Sequence, residues 1–105
     1  MSTNTQTGEL EALIREQLEE HIQRVEDHGP STYPYQQGWD VGYRLGFERV
    51  LSRPLTEEAI RRSVGLSRTQ YGPRDVPAQH NQGWREGFQE ATEYALEQLT
   101  GEPQT

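Results

Sequence analysis

Gln37-Gly38-Trp39-Asp40-Val41-Gly42-Tyr43 recurs 45 residues later as Gln82-Gly83-Trp84-Arg85-Glu86-Gly87-Phe88. The register holds past the heptapeptide, since Gly46 then aligns with Ala91, Val50 with Ala95 and Leu51 with Leu96. Each copy follows a G-P-x-x-x-P loop, Gly29-Pro30 through Pro34 and Gly72-Pro73 through Pro77, and the second carries two extra residues before its tryptophan. Self-similarity at such a period marks a duplicated supersecondary unit. The chain therefore divides into helix–loop–helix copies at residues 9–53 and 54–101, with a flexible N-terminus at 1–8 and a tail at 102–105.

Periodicity outside the motif makes every element a helix. Leu10, Leu13, Ile14, Leu18, Ile22 and Val25 recur at mostly three- and four-residue steps, one apolar stripe on a helix over residues 9–28. Thr7 is its expected N-cap and Gly29-Pro30 its stop. The second helix opens near Pro34, where proline suits the first turn, and closes before Pro54. In the third, Thr56 is the expected N-cap, Leu55 and Ile60 form a hydrophobic staple, and Gly65 stands where a C′ residue belongs. The fourth runs over residues 78–100 and ends at Gly101 and Pro103.

Glycines inside a helix need a reason, because each costs about 1 kcal/mol against alanine. Gly38, Gly42 and Gly46 share one face, as do Gly83, Gly87 and Ala91, and a face without Cβ atoms lets a second helix approach closely. The expected seam joins the second and fourth helices along these residues, with Trp39 and Trp84 beside it. The interspersed Asp40, Arg44, Glu48 and Arg49 exclude the membrane form of such a seam. The expected architecture is an all-α four-helix bundle from two tandem helix–loop–helix repeats with pseudo-twofold symmetry, the first and third helices lying outside the seam.

Composition narrows the function. Apolar residues make up 30% of the 105, so the core is thin and invites a symmetric partner, a homodimer. No apolar run approaches the ~20 residues of a membrane span and residues 1–8 do not resemble a signal peptide, which points to the cytoplasm. The absence of cysteine removes disulfides, thiolate metal sites and cysteine nucleophiles. All ten basic residues are arginine.

Net charge is −7 and unevenly placed. Residues 1–28 hold seven acids against Arg15 and Arg24, a net of −5, and residues 85–105 hold five against Arg85, a net of −4. Residues 29–84 hold seven arginines against five acids, a net of +2. Acidic helices of this kind suit a basic partner protein, whose field they complement. The partner-binding candidates are Glu16, Glu19 and Glu20 on the first helix and Glu90, Glu93 and Glu97 on the fourth, together with Tyr33 and Tyr35 of the loop, tyrosine being a frequent interface anchor.

No catalytic constellation is legible. His21 and His28 lie seven apart on one helix, but the neighbours of His21 on that face are Gln17, Arg24 and Val25, which complete no metal site. His80 is placed for capping, and Ser63 and Ser67 have no recognisable base. No lysine follows the glycines, so they form no phosphate loop. No cofactor or metal is expected.

One segment, Ile60-Arg61-Arg62-Ser63-Val64-Gly65-Leu66-Ser67-Arg68-Thr69-Gln70-Tyr71, resembles the core of a helix-turn-helix. Its turn glycine is Gly65 and its second helix opens on an S-x-x-Q capping box at Ser67 and Gln70. The resemblance implies DNA contact through Arg61, Arg62, Arg68 and Arg74. Arg61 stands where the motif carries a small residue, and Gly72-Pro73 leaves the second helix about one turn. DNA-binding regulation is therefore the second reading. The first is a non-catalytic acidic protein-binding regulator, of the type phages and mobile elements use to inhibit a host nucleic-acid-binding machine.

Overall fold

A computed structural model describes residues 3–29, 31–69 and 76–101, with side-chain surroundings from residue 8 to 66 and from 76 onward within those spans. It contains four helices, α1 (Thr3–His28), α2 (Pro34–Leu51), α3 (Glu57–Thr69) and α4 (Ala78–Thr100), and no strand among the described residues. Pro30, most of the second G-P-x-x-x-P loop, Arg74, Pro103 and the 102–105 tail lie outside the described residues, as do the side chains of Ser67 and Arg68.

The helix ends follow local chemistry. Pro34 occupies the first turn of α2, where its missing N–H has no helical partner to lose. Ser52 ends that helix by donating its N–H to the Glu48 carbonyl at 3.0 Å. Thr56 Oγ1 accepts the Ala59 N–H at 3.2 Å and starts α3, with Leu55 half-buried and Ile60 buried beside it. Gly101 closes α4 at φ +75°, a left-handed turn that glycine enters without a Cβ penalty, its N–H donating to the Glu97 carbonyl at 2.7 Å.

Three expectations require correction. Helix α1 begins at Thr3 and not at Glu9, so Thr7 lies inside it and not at its N-cap position. Between Thr3 and Gly8 there is no proline to stop a helix, and one glycine costs only about 1 kcal/mol. Gly65 is not a C′ residue: α3 runs through it to Thr69, and the only positive-φ glycines among the described residues are Gly29 and Gly101. Buried Ile60 and Val64 continue the apolar face of α3 up to that glycine, and Ser63 Oγ bonds back to the Ala59 carbonyl at 3.3 Å. His80 caps nothing either, because its Nδ1 is enclosed without a hydrogen bond and Pro77 holds the N-cap position.

Helices α2 and α4 form the centre. They run parallel, with Gly38 level with His80 and Trp84, and Gly46 level with Phe88 and Ala91. A methyl group on Gly42 would overlap the main-chain carbonyl of Trp84, and one on Gly87 the carbonyl of Trp39. On Gly38 it would meet the carbonyl of His80, and on Gly83 that of Tyr35. Backbone therefore packs on backbone, and each glycine offsets its propensity cost by letting the helices close to that distance. Helix α3 packs chiefly on α4, while α1 packs on α2 and touches α4. Leu10, Ile14, Phe47, Val50, Ile60, Val64, Ala91, Ala95 and Leu96 make the continuous core.

Candidate partner-binding surface

Helix α1 is held to α2 by an aromatic ladder that its apolar stripe did not announce. Its stripe is fully buried only at Leu10 and Ile14, and one turn after Leu18 the contact with α2 is made by His21, 4% exposed. The His21 Nε2–H donates to the Asp40 carbonyl at 2.9 Å, since a carbonyl oxygen can only accept. The ring stands edge-on to Tyr43, centroids 4.8 Å apart, and near Trp39 at 6.0 Å. Trp39 stacks on Tyr43 at 4.6 Å, Tyr43 meets Phe47 edge-on at 4.8 Å, and Phe47 meets Tyr94 of α4 at 5.8 Å. Such pairs favour edge and offset contacts through the ring quadrupole. His28, by contrast, is exposed and donates Nδ1–H to the Arg24 carbonyl at 2.9 Å. Among the described residues no three His, Cys, Asp or Glu side chains stand close enough to hold a metal ion.

The ladder gathers part of the acidic candidate set. Burial pushes the Tyr94 phenol above its ordinary value, and the carboxylates of Glu16 and Glu20 on α1 push it further. Burial likewise raises Tyr43, with Glu90 of α4, Tyr94 and Glu20 adding to the rise and Arg24 opposing it. Carboxylates repel a phenolate, and Glu20 bears on both phenols while Glu90 bears on Tyr43 and Glu16 on Tyr94. Glu19 is exposed on α1, Glu93 accepts a hydrogen bond from Gln89 at 2.8 Å, and Glu97 is half-buried near the end of α4.

The loop tyrosines stand elsewhere. Tyr33, 74% exposed, precedes α2, and Tyr35 in its first turn donates its hydroxyl to Glu86 Oε1 at 2.5 Å. That hydrogen bond, then burial and the Glu86 charge, raise the Tyr35 phenol, and the same bond with one from Gln82 lowers Glu86. The pair ties the N-terminal end of α2 to α4. Nothing in the sequence connects position 35 with 86 except the repeat register, which sets Tyr35 opposite the backbone of Gly83.

The arginine candidates are spread and partly neutralised. Arg61 Nε lies 2.8 Å from Glu57 and Arg62 Nη2 2.6 Å from Glu58, both exposed pairs one turn apart on α3. Arg68 belongs to the same helix, and Arg74 is outside the described residues. The bend at Gly65 that the resemblance requires is absent, so Arg61, Arg62 and Arg68 ride on one continuous helix. Among the described residues no helix is long and apolar enough to cross a membrane. The chain matches no protein-family model, no curated protein and no solved structure.

Proposed function

We propose that this chain is a non-catalytic, acidic protein-binding regulator that docks on a basic surface of another protein. The observation that carries the reading is that carboxylates from two helices about 70 residues apart in sequence raise the half-buried phenols of the ladder, Glu20 and Glu90 that of Tyr43 and Glu16 and Glu20 that of Tyr94. Tyrosines flanked by charge anchor interfaces well, since a large apolar ring and a hydrogen-bonding tip come at small conformational cost. A surface of this sign steers toward cationic partners and repels phosphate. An inhibitor encoded by a phage or mobile element, occupying in the cytoplasm the basic site of a host nucleic-acid-binding machine, fits that chemistry. Two further parts of the reading are that the chain arose by duplication of one helix–loop–helix unit about a pseudo-twofold axis and that it works as a homodimer. The first is supported by the 45-residue offset that converts the Gly38–His80 and Gly42–Trp84 approaches into the Gly83–Tyr35 and Gly87–Trp39 approaches.

The test is retention of host proteins by the full chain, compared with the triple variant Glu16→Lys, Glu20→Lys, Glu90→Lys. A partner held by the wild type, released by rising salt and lost with the triple variant supports the reading; a partner held equally by both refutes it. Helix-turn-helix regulation is tested alongside by gel shift. Sub-micromolar duplex binding at about 150 mM salt, lost with Arg68→Ala, would replace the proposal, because non-specific affinities there are about 10⁻⁴–10⁻⁶ M.

A further inference from the structure

The four helices are not held alike. Along the seam α2 and α4 pack backbone on backbone, so that even a methyl group on Gly42 would overlap a main-chain carbonyl. Helix α1 is held by side chains. From Leu10 to His28 it is fully buried only at Leu10, Ile14 and His21. Among the described residues its side-chain hydrogen bonds stay within the helix, except the one from His21 to the Asp40 carbonyl. The ion pairs among those residues likewise each lie within one helix, so none ties α1 to the rest. Charge opposes the docking instead. Residues 1–28 carry −5 of the net −7, which leaves −2 on the remainder, and like net charges repel across a junction that no ion pair bridges. Glu20 of α1 and Glu90 of α4 both act on the Tyr43 phenol, Glu16 and Glu20 act on Tyr94, and Arg24 is the cation that opposes them at Tyr43.

We infer that α1 is a strap, which detaches as one cooperative unit from an α2–α3–α4 core that stays folded, and that its net charge sets how often it does so. Proteins open in contiguous units, each at a cost that follows the buried contacts it gives up. Detaching α1 gives up three buried side chains, several half-buried ones and one hydrogen bond, but leaves the seam and the packing of α3 on α4 intact. What it uncovers is the ladder of Tyr43, Phe47 and Tyr94. Separating like charge favours the open strap at low salt, and screening favours the closed one, since the Debye length falls from about 30 Å at 0.01 M to about 3 Å at 1 M. The inference needs no partner, so its failure leaves the docking proposal standing.

Native-state hydrogen exchange of the full chain, followed amide by amide by NMR, tests it. The α1 amides from Leu13 to Val25 are expected to share one opening level, populated about tenfold or more above that of the seam amides around Gly42 and Gly87. Gly42→Ala should speed exchange at the seam and leave α1 unchanged, because the seam is formed whether the strap is open or closed. The double variant Glu16→Gln, Glu20→Gln, which keeps helix propensity nearly constant, should slow exchange in α1 several-fold at low salt and flatten its salt dependence. Should Gly42→Ala fail to fold, the urea dependence of the wild-type amides decides, since a strap opening alone exposes less surface than the whole chain and must show the smaller slope. One exchange level shared by α1 and the seam, or a Gly42→Ala variant that speeds both equally, overturns the strap. Exchange in α1 that neither salt nor the glutamate variant alters overturns its control by charge.

Discussion

Replacing Gly42 by alanine sets two effects of opposite sign against each other. In an exposed helix interior the change stabilises by about 1 kcal/mol, because alanine loses less backbone entropy on folding. At Gly42 the new methyl would overlap the main-chain oxygen of Trp84, and its carbonyl carbon and Cα would lie 2.8 and 2.9 Å away. A main chain inside a helix cannot rotate aside as a side chain can, so α2 and α4 must separate along the seam. Reaching ordinary contact distance forfeits a large part of the dispersion shared by the closest atoms. Overpacking of this kind costs typically about 1–3 kcal/mol, which exceeds the propensity gain. For a domain near this size each kcal/mol moves Tm by roughly 4–8 °C, so Gly42→Ala should lower Tm by several degrees or more. Gly65 is the internal control. It is equally helical, but a methyl there meets nothing within 4 Å. Gly65→Ala should therefore raise Tm by about the same 4–8 °C per kcal/mol. Thermal melts followed at 222 nm measure both. A rise in Tm for Gly42→Ala, like that for Gly65→Ala, would refute the close approach of the two backbones.

Three more expectations follow from particular contacts. His21→Ala removes a buried ring, its bond to the Asp40 carbonyl and its contacts with Trp39 and Tyr43, and should cost about 2–4 kcal/mol in urea unfolding; a cost below about 0.5 kcal/mol, the range of ordinary surface changes, would mean that α1 is not held there. Glu86 is lowered and Tyr35 raised by their shared hydrogen bond, so the stability from Glu86 is present above its ordinary carboxylate value and fades as pH falls through its depressed folded value. The stability from Tyr35 is present below the ordinary phenol value and fades as pH rises through the raised one. Absorbance titration at 295 nm should show a tyrosine that ionises earlier in Glu86→Gln than in the wild type, and an unchanged curve would contradict the bond. Arg62→Ala breaks only an exposed pair one turn long and should alter stability by no more than about 0.5 kcal/mol, a larger loss by denaturant titration counting against a solvated α3 face.

The sequence alone determined what depends on near neighbours. Prolines and glycines mark the limits of α2 and α4 because each fixes or frees the backbone at its own position, and the three-to-four-residue recurrence of apolar and small side chains gives all four helices. It also put Gly38, Gly42 and Gly46 on one face, since helical geometry does so whatever the surroundings. It misread one glycine that stands alone. Gly65 fits a C′ position and a mid-helix position equally well, and buried Ile60 and Val64 before it kept α3 helical. Only the tertiary structure decided that His21 is a buried link in the ladder and that Tyr35 reaches Glu86. The same holds for the rise of the Tyr43 and Tyr94 phenols, which burial and carboxylates of other turns and helices produce together. A charged residue reads alike in sequence whether its neighbour is water or a ring from another helix. The packing of α1 on α2, set by shapes that meet only when the chain is folded, chooses between them.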